Sequence, residues 1–171
     1  MGTLQTPDGP ERIRGALVID DPYQAGEGSL VVVTNSPLVC DVDVEDDPAT
    51  VRDEEAEARA WWADSLDAAA KREGAVLVAF FLGSLDGEQE LGLGGNGWAA
   101  YRVLESGWDD GERVVYADEL VQRGVGTATA SPRGDAYDVE FEVQGYSASF
   151  AAAPCDEPAL TGAIAELYAS F

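Results

Sequence analysis

The chain has 171 residues, of which 33 are acidic and 10 basic, so its formal net charge is −23 at pH 7. A charge of this size argues against nucleic acid and anionic membrane surfaces as direct partners. The chain contains no histidine, which excludes Ser-His-Asp and Cys-His catalysis and any histidine-ligated metal centre. A hydrophobic fraction of 46% is typical of a chain that buries a core.

The excess of acid has two explanations that the sequence leaves open. Lys71 is the only lysine, and the other nine basic residues are arginine. A GC-rich genome favours this composition, and so does a high-salt cell interior. In both cases most carboxylates belong to a solvated surface. No signal peptide is visible, although the opening Met1-Gly2 would also suit a chain whose export signal has been removed.

The first third of the chain predicts a tail followed by two strands. Residues 1–11 contain breakers and little to bury, which predicts a flexible N-terminal tail and leaves 12–171 as a single domain. Alternation from Arg12 to Ile19 predicts one strand. The β-branched run Leu30–Thr34 predicts a second, which a proline-containing kink connects to Cys40.

The clearest helical pattern runs from about 48 to 72. Asp47 suits the N-cap and Pro48 the first helical position, while Lys71 lies in the last turn, where the helix dipole favours positive charge. Apolar residues recur at helical spacing and form one stripe: Val51, Ala58, Trp62, Leu66 and Ala69. The pattern predicts one long amphipathic helix.

The second half of the chain reads mainly as β-structure. Ala75–Leu82 is apolar on both faces, which predicts a central strand and suggests a parallel crossover with Leu30–Thr34. Alternation on both sides of Gln144-Gly145 predicts a hairpin. Other β-leaning segments lie near 98–104, 112–117 and 125–130, and the hairpin occupies about 137–143 and 146–152.

The expected fold class is therefore α+β. It comprises a mainly antiparallel sheet or meander, the long helix over about 48–72 packed on it, and a short C-terminal helix from Pro158 to Phe171.

The two cysteines, Cys40 and Cys155, each end a β-like run and precede an acidic residue. Their even number suits a disulfide bond, and two buried free thiols are the alternative. A bond across so long a loop would remove roughly 4–5 kcal/mol of unfolded-state entropy. It would also point to an oxidising compartment, with the protein secreted or at the cell surface, and a cytoplasmic location as the alternative.

Both cysteine motifs also carry a resemblance. Leu38-Val39-Cys40-Asp41 after a β-branched strand, and Phe150 with Pro154-Cys155-Asp156 after an alternating run, resemble patterns in uncharacterised secreted lipoproteins of GC-rich Gram-negative bacteria. The resemblance covers these two short motifs, and the lipobox cysteine of such proteins is missing from this chain. It implies no particular activity.

An acidic run after the first cysteine is the one candidate cation site: Asp41, Asp43, Glu45 and Asp46. Calcium prefers several oxygen ligands, but an EF-hand loop starting at Asp41 fails because its sixth residue is Asp46 instead of glycine and its twelfth is Arg52 instead of glutamate. A solvated loop with no cofactor is the simpler interpretation.

Three tryptophans are candidates for a binding surface. Trp61 neighbours Trp62 on the predicted helix, so the two rings cannot both face the core fully, and Trp98 and Trp108 lie beside turn residues. Exposed aromatic rings suit protein or carbohydrate interfaces. Core packing is the alternative for each of them.

The sequence therefore predicts an exported, disulfide-stapled, non-enzymatic domain that binds another protein or assembles with itself at the cell exterior. The alternative is a cytosolic ligand-binding or regulatory domain of an acidic proteome, which would need high salt to fold. A carboxylate-dependent hydrolase is a third possibility, because paired carboxylates hydrolyse glycosides without histidine. No catalytic residue can be assigned, since 33 acidic residues single out no pair.

Overall fold

The computed structural model describes residues 2–20, 28–35, 75–92, 97–109, 112–121 and 125–155, with the backbone alone described at 75, 99, 101–109 and 112–121. Every regular element in these ranges is a strand. The strands are β1 (Thr3–Thr6), β2 (Gly9–Arg12), β3 (Gly15–Asp20), β4 (Ser29–Thr34), β5 (Ala75–Leu82), β6 (Gly87–Leu91), β7 (Trp98–Asp109), β8 (Glu112–Val121), β9 (Gly126–Arg133), β10 (Ala136–Val143) and β11 (Tyr146–Cys155).

The strands form one sheet that curls into a half-barrel. Their order across the sheet is β6-β9-β10-β11-β3-β4-β5-β7-β8, and β1 lies beside this path, where it pairs with β11 and β2. The described pairings are antiparallel except that between β11 and β3, which is parallel. A strand from the N-terminal part and a strand from the C-terminal part of the described chain are therefore neighbours in the middle of the sheet.

The hairpin predicted around Gln144-Gly145 is confirmed. Val139 lies opposite Phe150, and the pairing continues to Val143 opposite Tyr146. Gln144 has φ 43° and Gly145 has φ 85°. Positive φ at both central residues is what a two-residue type I′ turn requires, because that turn matches the twist of the strands it joins.

The α+β prediction is wrong. Strands make up 77% of the described residues and helices none, and the expected parallel crossover is replaced by antiparallel pairing of β4 with β5, in which Ser29 lies opposite Leu82. An antiparallel pair needs no crossover helix, so the pairing of β4 with β5 does not require a helix between them. Both predicted helices, over 48–72 and 158–171, lie outside the described residues.

The prediction that residues 1–11 have little to bury is also wrong. The segment forms the β1–β2 hairpin, and Leu4 is 0% exposed. The side chain of Thr6 closes the turn, because its hydroxyl donates to the carbonyl of Gly9 (2.8 Å) and accepts from the amide of Asp8 (3.2 Å). The expectation of a single domain over 12–171 stays a prediction.

The main core lies inside the curl of the sheet. The ring of Phe141 in β10 packs against Phe80 in β5 (centroids 5.1 Å apart) and Phe150 in β11 (6.3 Å), although β5 and β10 are not neighbours in the sheet. Both sides of β5 are buried, because Val78 and Phe80 belong to the main core and Leu77 and Ala79, on the opposite side, are buried as well. This burial on both faces confirms the prediction that Ala75–Leu82 is a central strand, since β5 lies between β4 and β7.

A buried polar group closes the end of β4. Asn35 is 5% exposed; its side-chain oxygen accepts from the amide of Val76 (2.9 Å), and its side-chain nitrogen donates to the carboxylate of Glu11 (3.2 Å). The hydroxyl of Thr34 donates to the carbonyl of Val76 (2.8 Å). These bonds extend the β4–β5 pairing and tie it to β2.

Candidate binding face

Of the site residues suggested by the sequence, the structure describes the side chains of Trp98 and Cys155 alone. Trp98 is 3% exposed and its ring lies 6.2 Å from that of Tyr146, so the prediction that it forms a binding surface is wrong: the alternation of β7 places this ring in the core. Trp108 lies in β7 where the backbone alone is described, and Trp61 lies outside the described residues.

Only one end of the predicted disulfide lies in the described part of the chain. Cys155 ends β11, is 2% exposed, and is the only cysteine among the described residues, because Cys40 lies outside them. The thiol of Cys155 is not free, but its pairing with Cys40 is not shown by the described residues. The extracellular assignment that depended on this pairing is without support there. A bond between Cys40 and Cys155 stays a prediction.

The predicted cation site also lies outside the described residues: Asp41, Asp43, Glu45 and Asp46. Within the described ranges no group of three or more acidic or cysteine side chains could hold a metal ion. No helix found there is long and apolar enough to cross a membrane.

A different surface is assembled by the pairing of β6, β9, β10, β11 and β1, and we call it the outer polar face. Strands place alternate residues on opposite sides, and in β10 Val139, Phe141 and Val143 are buried while Asp138, Glu140 and Glu142 are exposed. The exposed side continues across the neighbouring strands. Register places its residues in three rows, which are Glu88-Thr129-Glu140-Ser149, Glu90-Thr127-Glu142-Ser147-Gln5, and Ser131-Asp138-Ala151.

The outer polar face is grooved because long and short side chains occupy alternate strands. β6 and β10 carry carboxylates there, whereas β9 and β11 carry hydroxyl or methyl groups. Two adjoining open depressions of about 470 and 480 Å³ result, and both are lined by Thr129, Glu140 and Ser149. One flank of these depressions lies over β9.

We call this flank the threonine groove. Its floor is Thr127, Thr129 and Ser131 of β9, and its walls are Glu88 and Glu90 of β6 and Glu140 and Glu142 of β10. Strands lie about 4.8 Å apart and rise about 3.3 Å per residue, so the two walls are about 10 Å apart and carboxylates along one wall are about 7 Å apart.

The charge of the outer polar face is strongly one-sided. Its three rows contain five carboxylates and no basic residue. Arg133, just beyond the third row, pairs with Asp138 at 3.1 Å, but the two side chains are 71% and 49% exposed, so the pair contributes little to stability. The walls of the threonine groove thus create a negative potential over a floor of hydroxyl groups.

Part of this face could have been found from the sequence. The alternation of Glu140 and Glu142 with buried residues, and of Ser147 and Ser149 after the turn, already indicates one exposed side for β10 and β11. No such signal marks β6, because this strand is short and polar. It also pairs with β9 although β7 and β8 lie between the two strands in the sequence. The groove exists only once Glu88 lies opposite Thr129.

Comparison with known proteins adds no assignment. The resemblance of the Cys40 and Cys155 motifs to secreted lipoproteins therefore stays a prediction, and the geometry of the outer polar face is the basis for a functional interpretation. No protein-family model, no curated protein and no solved structure matches this chain.

Proposed function

We propose that this protein is a non-enzymatic binding module that holds another protein against its outer polar face. The observation that supports this proposal best is the register that aligns carboxylates and hydroxyl groups in rows across five strands, leaving two adjoining depressions open to solvent. Rows of polar groups on a rigid sheet can contact a partner at little cost in conformational entropy.

Binding is favoured over carboxylate-dependent hydrolysis by the setting of the acidic groups. Glu88, Glu140 and Glu142 line one depression, but all three are exposed on an open sheet surface. The general acid of a glycosidase is kept protonated by apolar surroundings that exclude water. The compartment is a separate question, and both the secreted or cell-surface location and the cytoplasmic alternative stay predictions.

Site-specific photo-cross-linking tests the proposal. The photoreactive amino acid p-benzoylphenylalanine is placed at Thr129 or Ser149, which both depressions share, and at Asp8 and Asp20 as exposed control positions outside the rows. In cells of the source organism, we expect one protein adduct from the first two positions and none from the controls. Equal labelling at all four positions, or none at any, would refute the proposal. An adduct of twice the chain's own mass would identify the partner as a second copy of the chain.

A further inference from the structure

We propose that the occupant of the threonine groove is an extended segment of the partner protein that carries lysine or arginine at every second residue. The inference rests on the proposed function and specifies the partner's chemistry. Three features carry it: the spacing of the groove's walls, the hydroxyl groups on its floor, and charge complementarity.

The spacing along the walls matches that of an extended chain. Glu88 and Glu90 are two residues apart in β6, and Glu140 and Glu142 are two apart in β10. Because a strand rises about 3.3 Å per residue, the side chains on one side of any extended segment also recur about every 7 Å. A segment lying along the groove can therefore place successive basic side chains beside successive carboxylates.

The width of the groove selects a single extended chain. The walls lie on either side of β9, about 10 Å apart, and Thr127 and Thr129 between them have short side chains. A helix, which is about 10–12 Å across with its side chains, is too wide to reach this floor. An extended segment fits with the side chains of one side between the walls, where a lysine can also donate to the threonine hydroxyls.

The negative charge of the groove determines the charge expected of the partner segment. Four wall carboxylates face a floor without charge, and the whole chain carries −23, so an acidic or neutral segment gains nothing from the walls. A basic segment is attracted at long range and then held by several exposed ion pairs. Because each such pair is weak and screened by salt, the binding should depend on several pairs formed in register.

The test uses the full chain and labelled synthetic octapeptides in fluorescence anisotropy at low salt. One peptide alternates lysine with threonine, a second has the same composition with its four lysines adjacent, and a third alternates glutamate with threonine. We expect the alternating lysine peptide to bind about fivefold more tightly than the block peptide. All four lysines of the alternating peptide lie on one side of an extended chain, whereas only every second lysine of the block points into the groove. The glutamate peptide should not bind.

Variants locate the interaction. The double variant Glu140→Gln/Glu142→Gln should weaken binding of the alternating peptide about tenfold, and Asp8→Asn/Asp20→Asn, which removes the same charge elsewhere, less than about twofold. Thr129→Trp, which fills the groove without changing the charge, should abolish binding. Unchanged far-ultraviolet circular dichroism shows that each variant is folded.

Two results would overturn the inference. Equal affinity for the alternating and block peptides, together with equal weakening by both charge variants, would mean that net charge alone attracts the peptides. Failure of every peptide to bind, with cross-links still formed from Thr129 and Ser149, would mean that the face binds a partner of other chemistry. Failure of both experiments would remove the binding face itself.

Discussion

Substituting Asn35 by alanine tests whether a buried side-chain amide holds the end of the β4–β5 pair. The amide accepts from Val76 N–H at 2.9 Å and donates to Glu11 at 3.2 Å, and Asn35 is 5% exposed. Alanine deprives a buried N–H of its acceptor, which costs about 1–3 kcal/mol, and removes a bond to Glu11 that contributes about 1 kcal/mol. We therefore expect Asn35→Ala to lower the free energy of unfolding by about 2–4 kcal/mol.

Two further variants separate the two hydrogen bonds. Asn35→Asp keeps an oxygen that can accept from Val76 but places a second carboxylate against Glu11 in place of a donor. We expect a loss at neutral pH, where two carboxylates face each other, and a smaller loss in acid, because protonation of a carboxylate ends the repulsion. Adding Glu11→Gln to this variant places an amide donor opposite the new carboxylate and removes the repulsion, so the double variant should recover stability at neutral pH.

The assay is urea-induced unfolding followed by tryptophan fluorescence, since the chain has four tryptophans, with amide hydrogen exchange at Val76 as a local reading. Ser149→Ala on the exposed side of β11 serves as the control and should change stability by less than about 0.5 kcal/mol. The reasoning fails if Asn35→Ala behaves like this control, or if exchange at Val76 is not accelerated.

Three other substitutions test the core and the turns by the same unfolding assay. Phe141→Ala should cost about 3–5 kcal/mol, because it leaves a cavity between two aromatic rings; a loss below about 1 kcal/mol would contradict the packing. Gly126→Ala should cost about 3 kcal/mol, since its new methyl group would lie 2.6 Å from Cβ of Val143. The control Gly134→Ala meets no atom within 4 Å at φ +59° and should cost about 1 kcal/mol, so equal losses would refute the clash. Gln144→Asn should gain about 0.5 kcal/mol, because asparagine tolerates φ 43° better; a loss would argue against the type I′ turn.

The strands that could be predicted are those with a strong local pattern. Ala75–Leu82 coincides with β5, and the β10–β11 hairpin was visible from its alternation and from Gln144-Gly145. In each case hydrophobic periodicity and turn residues depend on neighbours a few positions away. The helix predicted over 48–72 lies outside the described residues, and its pattern was a poor basis for the fold class, because propensity and capping are weak indicators of how a whole domain is built.

The strands that were missed are short and polar. β1, β2 and β6 have few apolar residues, and Leu4 is buried only because β1 pairs with β11 at Gln5 opposite Ser147. Trp98 was wrongly predicted to be exposed. A ring beside turn residues can be exposed or buried, and the curl of the sheet buries this one against Tyr146. Neither outcome is encoded within a few residues of the position concerned.

Local alternation was therefore enough to predict the β-structure of the described second half of the chain and the residues of β10 that face water. Composition alone showed that the protein is strongly acidic. The partners of the strands were decided by the folded sheet, including β6 beside β9 and the parallel pairing of β11 with β3. The threonine groove belongs to this second class. Its carboxylates come from segments about fifty residues apart, and only long-range pairing, which has no local signature in a single sequence, brings them to opposite walls of one surface.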